Sequence, residues 1–191
     1  MKEYLASNRL IDWHSTDVLS KAQQLAVGCQ DKLAIAEQCF QFVRDKIKHS
    51  MDYQLNPVTC VASDVLKYET GFCYAKSHLL AALLRANNIP AGFCYQRLTI
   101  TGESPPFCLH GLNAVFLEQY GWYRIDARGN KVGVNAIFNP PVEQLAYPIV
   151  SNGELDLPEI WCEPLPIVVS ILESYNTYQD VEQHLPDVLL F

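Results

Sequence analysis

Three features of the sequence predict an α+β fold. Apolar residues recur at helical spacing over 15–49 and again over 73–86, the period changes to two between residues 92 and 127, and a proline-containing segment leads back to helical spacing after Pro166. The 191 residues are 49% hydrophobic and 11% aromatic, enough apolar surface to offset the ordering entropy of a real core. No repeat or low-complexity tract interrupts the chain. One domain over 1–191 is expected, with N-terminal helices over 15–49, a central core over 60–130 and an extended and helical tail over 139–191.

Each element has its own signal. Ser15-Thr16-Asp17 supplies N-cap chemistry ahead of Val18, Leu19, Ala22, Leu25 and Ala26. Gly28 interrupts that helix, and Asp31 restarts a second one carrying Leu33, Ile35, Ala36, Cys39, Phe40 and Val43. Lys46, Lys48 and His49 then place cations at its C-terminal end, where the helix dipole favours them, so His49 reads as a capping charge. Residues 51–72 hold Pro57 and Gly71 and read as loop with one helical turn at 62–68. From Cys73 to Ala86 the helix is apolar nearly all round, the mark of an interior helix, and Asn87-Asn88-Ile89-Pro90 ends it.

Strands follow at roughly 92–100, 109–117 and 122–127. A flexible loop containing Gly102 and Pro106 separates the first two, and Glu118-Gln119-Tyr120-Gly121 turns the last two into a hairpin. Six prolines between Pro140 and Pro166 favour extended chain wrapped on the core. Pro166 suits the first position of a helix holding Ile167, Val168, Ile171 and Leu172, and Asn176-Thr177 caps a last short helix before Pro186.

Composition excludes whole classes of function. A net charge of −7 with no Lys/Arg-rich run argues against nucleic acid or an anionic membrane as partner. Apolar stretches such as Leu79–Leu84 fall far short of the roughly 20 residues that span a bilayer. The first residues lack the apolar run of a secretory signal, and the seven cysteines (Cys29, Cys39, Cys60, Cys73, Cys94, Cys108 and Cys162) are odd in number with no Cys-x-x-Cys pair. A reducing, cytoplasmic setting with free thiols is the expectation.

Chemistry concentrates at Glu69-Thr70-Gly71-Phe72-Cys73-Tyr74-Ala75, where a Gly-containing loop opens into the interior helix with a cysteine at its mouth. Unpaired N–H groups and the positive end of the dipole favour a thiolate there and can hold the oxyanion it creates on a carbonyl. Gly71 lets backbone and substrate approach without a Cβ between them. A plain core cysteine is the alternative at this stage. A nucleophile needs a base. His14 and His184 lie in terminal segments, His49 at a helix end, and His78 about 140° around the helix from Cys73. That leaves His110. If the hairpin turns through three residues, Leu117 pairs with Gly121, and His110 and Asp126 become diagonal neighbours on one face. A turn of two or four residues would put them on opposite faces.

These residues carry a resemblance. Gly71-Phe72-Cys73-Tyr74-Ala75 running into Leu79–Ala91, then His110-Gly111-Leu112-Asn113-Ala114-Val115 and Gly121-Trp122-Tyr123-Arg124-Ile125-Asp126-Ala127, resemble the transglutaminase-like superfamily, in its compact bacterial form. Leu112 replaces the family's usual aromatic, and Asn88 stands where Gly is common. The resemblance implies a papain-like cysteine-protease fold, an α+β arrangement with the cysteine on a buried helix packed against an antiparallel sheet. It also implies Cys73 as nucleophile, His110 as base, Asp126 as orienting carboxylate, and no cofactor or metal. The implied chemistry is acyl transfer or amide hydrolysis on a peptide or other amide-containing substrate. The Cys73 backbone N–H is one oxyanion donor, and the upstream side chains of Gln54 and Tyr53 are candidates for the second. Three rivals stay open: an arylamine N-acetyltransferase-like enzyme, a zinc site built from Cys108 and His110 with Cys73 or Cys94, and a non-catalytic interaction module.

Overall fold

The computed structural model describes residues 1–101 and 104–188, so Gly102 and Glu103 of the expected loop lie outside the described residues. After a 3-10 turn at Lys2–Leu5, the elements run α1 (Thr16–Ala26), α2 (Lys32–Lys46), β1 (Lys48–His49), α3 (Ser50–Tyr53), α4 (Ala62–Tyr68), β2 (Thr70–Gly71) and α5 (Cys73–Ala86). Then come β3 (Ala91–Thr99), β4 (Phe107–Leu117), β5 (Gly121–Ile125), β6 (Leu155–Asp156), α6 (Pro166–Ser174) and α7 (Tyr178–Gln183). The fold is α+β, as expected.

Capping chemistry sets the helix starts. Asp31 accepts the Ala34 N–H at 2.8 Å, Thr177 accepts the Asp180 N–H, and Pro166 stands at the first turn of α6. Every residue of α5 from Cys73 to Arg85 is buried, as the all-round apolar pattern requires. Helices α1, α2 and α4 pack against α5, as do β3 and β4. The sheet is antiparallel with order β5-β4-β3-β6, and the β4–β5 hairpin pairs Leu117 with Gly121. Gly121 takes φ +76°, the left-handed residue that a three-residue hairpin turn needs.

Two features depart from expectation. Helix α2 stops at Lys46, and Lys48 and His49 form a short strand parallel to Thr70 and Gly71. Ile47 and His49 are buried while Lys48 is exposed, so the period has already become two; His49 is an interior residue, not a capping charge. In the proline-containing tail, β6 adds to the sheet edge by pairing Arg97 with Leu155 and Gln96 with Asp156. Farther along, Phe93 bridges to Trp161. A Cβ on Gly92 would lie 2.5 Å from Ile160 Cγ2 and 2.9 Å from the Trp161 carbonyl, so the tail passes here only because position 92 is glycine. No described helix is long and apolar enough to cross a membrane.

Arg85, 2% exposed, ties three segments to α5. Its guanidinium donates to the carbonyls of Ala6, Ala91 and Cys162, the Ala91 carbonyl accepting from two nitrogens. Truncation leaves those acceptors without their charged donor. Arg85→Met is therefore expected to lower the free energy of unfolding by about 3–5 kcal/mol, measured by urea titration, and Arg85→Lys to recover little of it because one ammonium cannot span the same fork.

Candidate active site

Cys73 is the first residue of α5, 8% exposed, and lies in the wall of a cavity of about 440 Å³. Its sulfur accepts the Gly111 N–H at 3.5 Å. That contact needs close approach of strand and helix, because a Cβ on Gly111 would lie 2.9 Å from Tyr74 Cδ1 and 3.3 Å from Tyr74 Cα. Gly111→Ala is expected to leave the chain folded but to displace β4 from α5, a shift visible as a changed rate of Cys73 alkylation by iodoacetamide. Gly71 serves packing too. A Cβ there would meet Ala75 Cβ and Thr59 Oγ1 at 3.1 Å each, which corrects the expectation that it opens room for substrate.

The hairpin register brings the second and third groups together. With Leu117 opposite Gly121 and Asn113 opposite Ile125, Asp126 follows β5 within reach of His110 on β4. His110 Nε2 lies 2.7 Å from Asp126 Oδ2. Nε2 is therefore the donor to a carboxylate, leaving Nδ1 as the ring nitrogen available to Cys73. The ring is 5% exposed and meets Tyr147 edge-on, with centroids 5.1 Å apart.

Electrostatics favour charge separation here. Burial alone would lower the His110 pKa, but the charges of Asp126 and Cys73 and its hydrogen bonds to both push it up to about 10. Burial alone would raise the Asp126 carboxyl. The His110 charge and hydrogen bond, with the amides of Ala146 at 3.0 Å and Arg128 at 3.1 Å, hold it below the ordinary carboxylate range. Both shifts favour the charged forms of the two side chains.

Gln54 and Tyr53 are not part of this arrangement. Gln54 is the exposed, left-handed residue that ends α3, and Tyr53 is 59% exposed with its ring under the Lys48 ammonium; neither lines the cavity around Cys73. His49 takes the upstream position instead. It is 5% exposed, and its Nε2 accepts the Cys73 backbone N–H at 3.2 Å. Asp52 Oδ2 lies 4.0 Å from the other ring nitrogen. Arg128, also buried, grips Asp52 through two bonds of 2.5 and 3.0 Å, and Lys131 adds a third. Burial would raise the Asp52 carboxyl, but those hydrogen bonds hold it at about 2. The only sequence hint of His49 is the alternation Ile47-Lys48-His49, too short to mark a strand. Nothing in the sequence joins Arg128 to Asp52 across 76 positions.

The remaining histidines stand apart: His78 is bonded to the Cys60 carbonyl, His14 lies against Trp13, and His184 ends α7. Among the described residues no three His, Cys, Asp or Glu side chains gather into a metal-holding group, and Cys94 packs with Leu112 and Ala114. The rest of the cavity wall is largely apolar, including Leu98, Ile100, Leu109, Val150 and Leu185. Glu154 at its rim is occupied by the amides of Thr99, Val150 and Ser151 and by the Thr99 hydroxyl.

A cysteine opening a buried helix against an antiparallel sheet that carries a histidine is the layout of the papain-like fold class. Residues 20–127 match the transglutaminase-like superfamily, and the chain belongs to it. A solved structure shares the fold. A protein from Cytophaga hutchinsonii assigned as a cysteine protease superposes with a TM-score of 0.52 at 18% identity, over 65% of this chain and 40% of that one. Red sea bream transglutaminase gives 0.48 at 10% identity, over 61% and 27%. The chain thus spans well under half of either protein. No curated protein matches its sequence.

Proposed function

We propose that the protein catalyses thiol-dependent acyl transfer or amide hydrolysis on a peptide or other amide-containing substrate, with Cys73, His110 and Asp126 as its triad. Membership of a superfamily that includes cysteine proteases and transglutaminases supports a thiol enzyme in general. The observation that carries the finer reading is the buried pair of His110 Nε2 and Asp126 Oδ2, 2.7 Å apart, in a cavity wall shared with Cys73.

In this mechanism the His110 imidazolium pairs with the Cys73 thiolate, which attacks the carbonyl carbon. The C–S bond forms as the carbonyl π pair moves onto oxygen, and the Cys73 N–H helps to hold that oxyanion. Collapse breaks the C–N bond, His110 gives its proton to the leaving amine, and a thioester remains. Water or a second amine then attacks the thioester, giving its proton to His110 and restoring the thiolate. Asp126 keeps the ring oriented and stabilises its charge.

Labelling with an activated acyl ester, followed by mass mapping, tests this. The expected single adduct is on Cys73, with none in Cys73→Ala. An adduct on any of the other six cysteines, or no adduct at all, would overturn the assignment. Adding a primary amine to the acylated protein then separates hydrolysis from transamidation by the product released.

A further inference from the structure

We infer that His49 is the second donor of the oxyanion hole, a role that rests on the acyl-transfer reading of Cys73 and adds a catalytic residue to it. The two histidines bracket the nucleophile: His110 with Asp126 on the side of the sulfur, His49 beside Asp52 on the side of the backbone amide. A carbonyl oxygen that accepts the Cys73 N–H must arrive where His49 Nε2 now sits, 3.2 Å from that nitrogen. The ring must yield the N–H and lie beside the incoming oxygen. A bare Nε2 lone pair there would repel the oxyanion, and an Nε2–H would bind it.

The ring is equipped for that change. At rest Nε2 is an acceptor, so the single proton of the neutral imidazole is on Nδ1. Nδ1 is buried and makes no hydrogen bond among the described residues, since Asp52 Oδ2 at 4.0 Å is beyond direct reach. No hydrogen bond is lost when the proton leaves Nδ1, whereas a proton on Nε2 gains a charge-assisted bond to the oxyanion. The balance is simple: one proton passes from Nδ1 to solvent, one comes from solvent to Nε2, and the ring stays neutral. Burial, then the Arg128 charge, push the His49 pKa well down and keep it neutral, with Asp52 opposing and Lys76 and His110 adding to the effect. Arg128, Thr99 and Tyr74 also line the cavity, but they direct donors at Asp52, Glu154 and the Leu109 carbonyl.

Two reactions of the same sulfur test this. Acylation by p-nitrophenyl acetate passes through an oxyanion, and alkylation by iodoacetamide does not. In His49→Leu, acylation is expected to fall about 100- to 1000-fold while alkylation changes less than about threefold. His49→Gln, which places an N–H near the former Nε2, is expected to return acylation to within about tenfold of the wild type. Unchanged acylation in His49→Leu, equal loss in both reactions, or a glutamine variant no better than leucine would each overturn the inference. If the leucine variant fails to fold, ring 15N shifts of the wild-type protein decide. His49 should carry its proton on Nδ1 when free and on Nε2 in the hemithioacetal with acetaldehyde, and a proton that stays on Nδ1 overturns the role. A wild-type protein that alkylates but never acylates refutes acyl transfer itself, before His49 comes into question.

Discussion

His110→Ala is expected to reduce acylation of Cys73 by about 10⁴-fold or more, because the residue that sustains the thiolate is also the acid that releases the amine. The same change should destabilise the fold in a pH-dependent way. The folded His110 pKa, about 10, lies above its unfolded value, so its contribution is complete below the unfolded pKa near 6.5 and is lost as pH rises through about 10. Asp126 is shifted down; its contribution is present above its unfolded pKa near 3.9 and is lost as pH falls through its lower folded value. Removing the ring leaves a 1%-exposed carboxylate without its counter-ion. The cost near pH 7 should be about 3–5 kcal/mol, shrinking at acid pH, where Asp126 protonates, and again above pH ~10, where the wild-type ring becomes neutral. Thermal melts of both proteins from pH 4 to 10.5 measure this. A difference that stays constant across the range would show that no ion pair joins these side chains.

What could be read in advance follows from how far each signal reaches along the chain. The hairpin register was legible only as a condition, that a three-residue turn sets His110 and Asp126 on one face, and the left-handed Gly121 with Leu117 opposite it meets that condition in the fold. Interior helix α5 was legible because burial on all sides leaves apolar residues on nearly every face, Leu79–Leu84 forming an unbroken run. The two-residue strands β1 and β2 were not, since two residues carry no period and their partners lie 22 positions apart. His49 was hidden for that reason. Preceded by Lys46 and Lys48 it resembles a capping cation, and only the entry of Ile47 into the core turns it inward. Gln54 and Tyr53, the polar side chains the upstream sequence offers as second oxyanion donors, are exposed at the end of α3, a few residues beyond His49. Strand β6 was masked by its proline-containing surroundings, because an edge strand of two residues needs only Gln96 and Arg97 as partners.

Asp126→Asn isolates the carboxylate from the space it fills. The native side chain receives three donors and gives none: Oδ2 accepts from His110 Nε2 and the Ala146 N–H, and Oδ1 from the Arg128 N–H. An amide offers one oxygen and one NH₂, so either orientation sets a donor against a donor. With oxygen toward His110, the NH₂ faces the Arg128 N–H, at a cost of about 1–3 kcal/mol for a buried donor left without an acceptor. With the NH₂ toward His110, Nε2 must accept, the ring proton moves to Nδ1, and the nitrogen that would take the thiol proton is blocked. In both cases the carboxylate charge that raises His110 is gone, and burial, the largest opposing influence, lowers the ring's pKa. Acylation should therefore fall about 10³–10⁴-fold. The ring's NMR titration should also move well below the wild-type value of about 10. Asp126→Glu should not restore the rate, because the longer side chain cannot keep the two backbone amides and the imidazole at once. An Asp126→Asn protein that acylates within tenfold of wild type would show that His110 keeps its orientation and charge without the carboxylate.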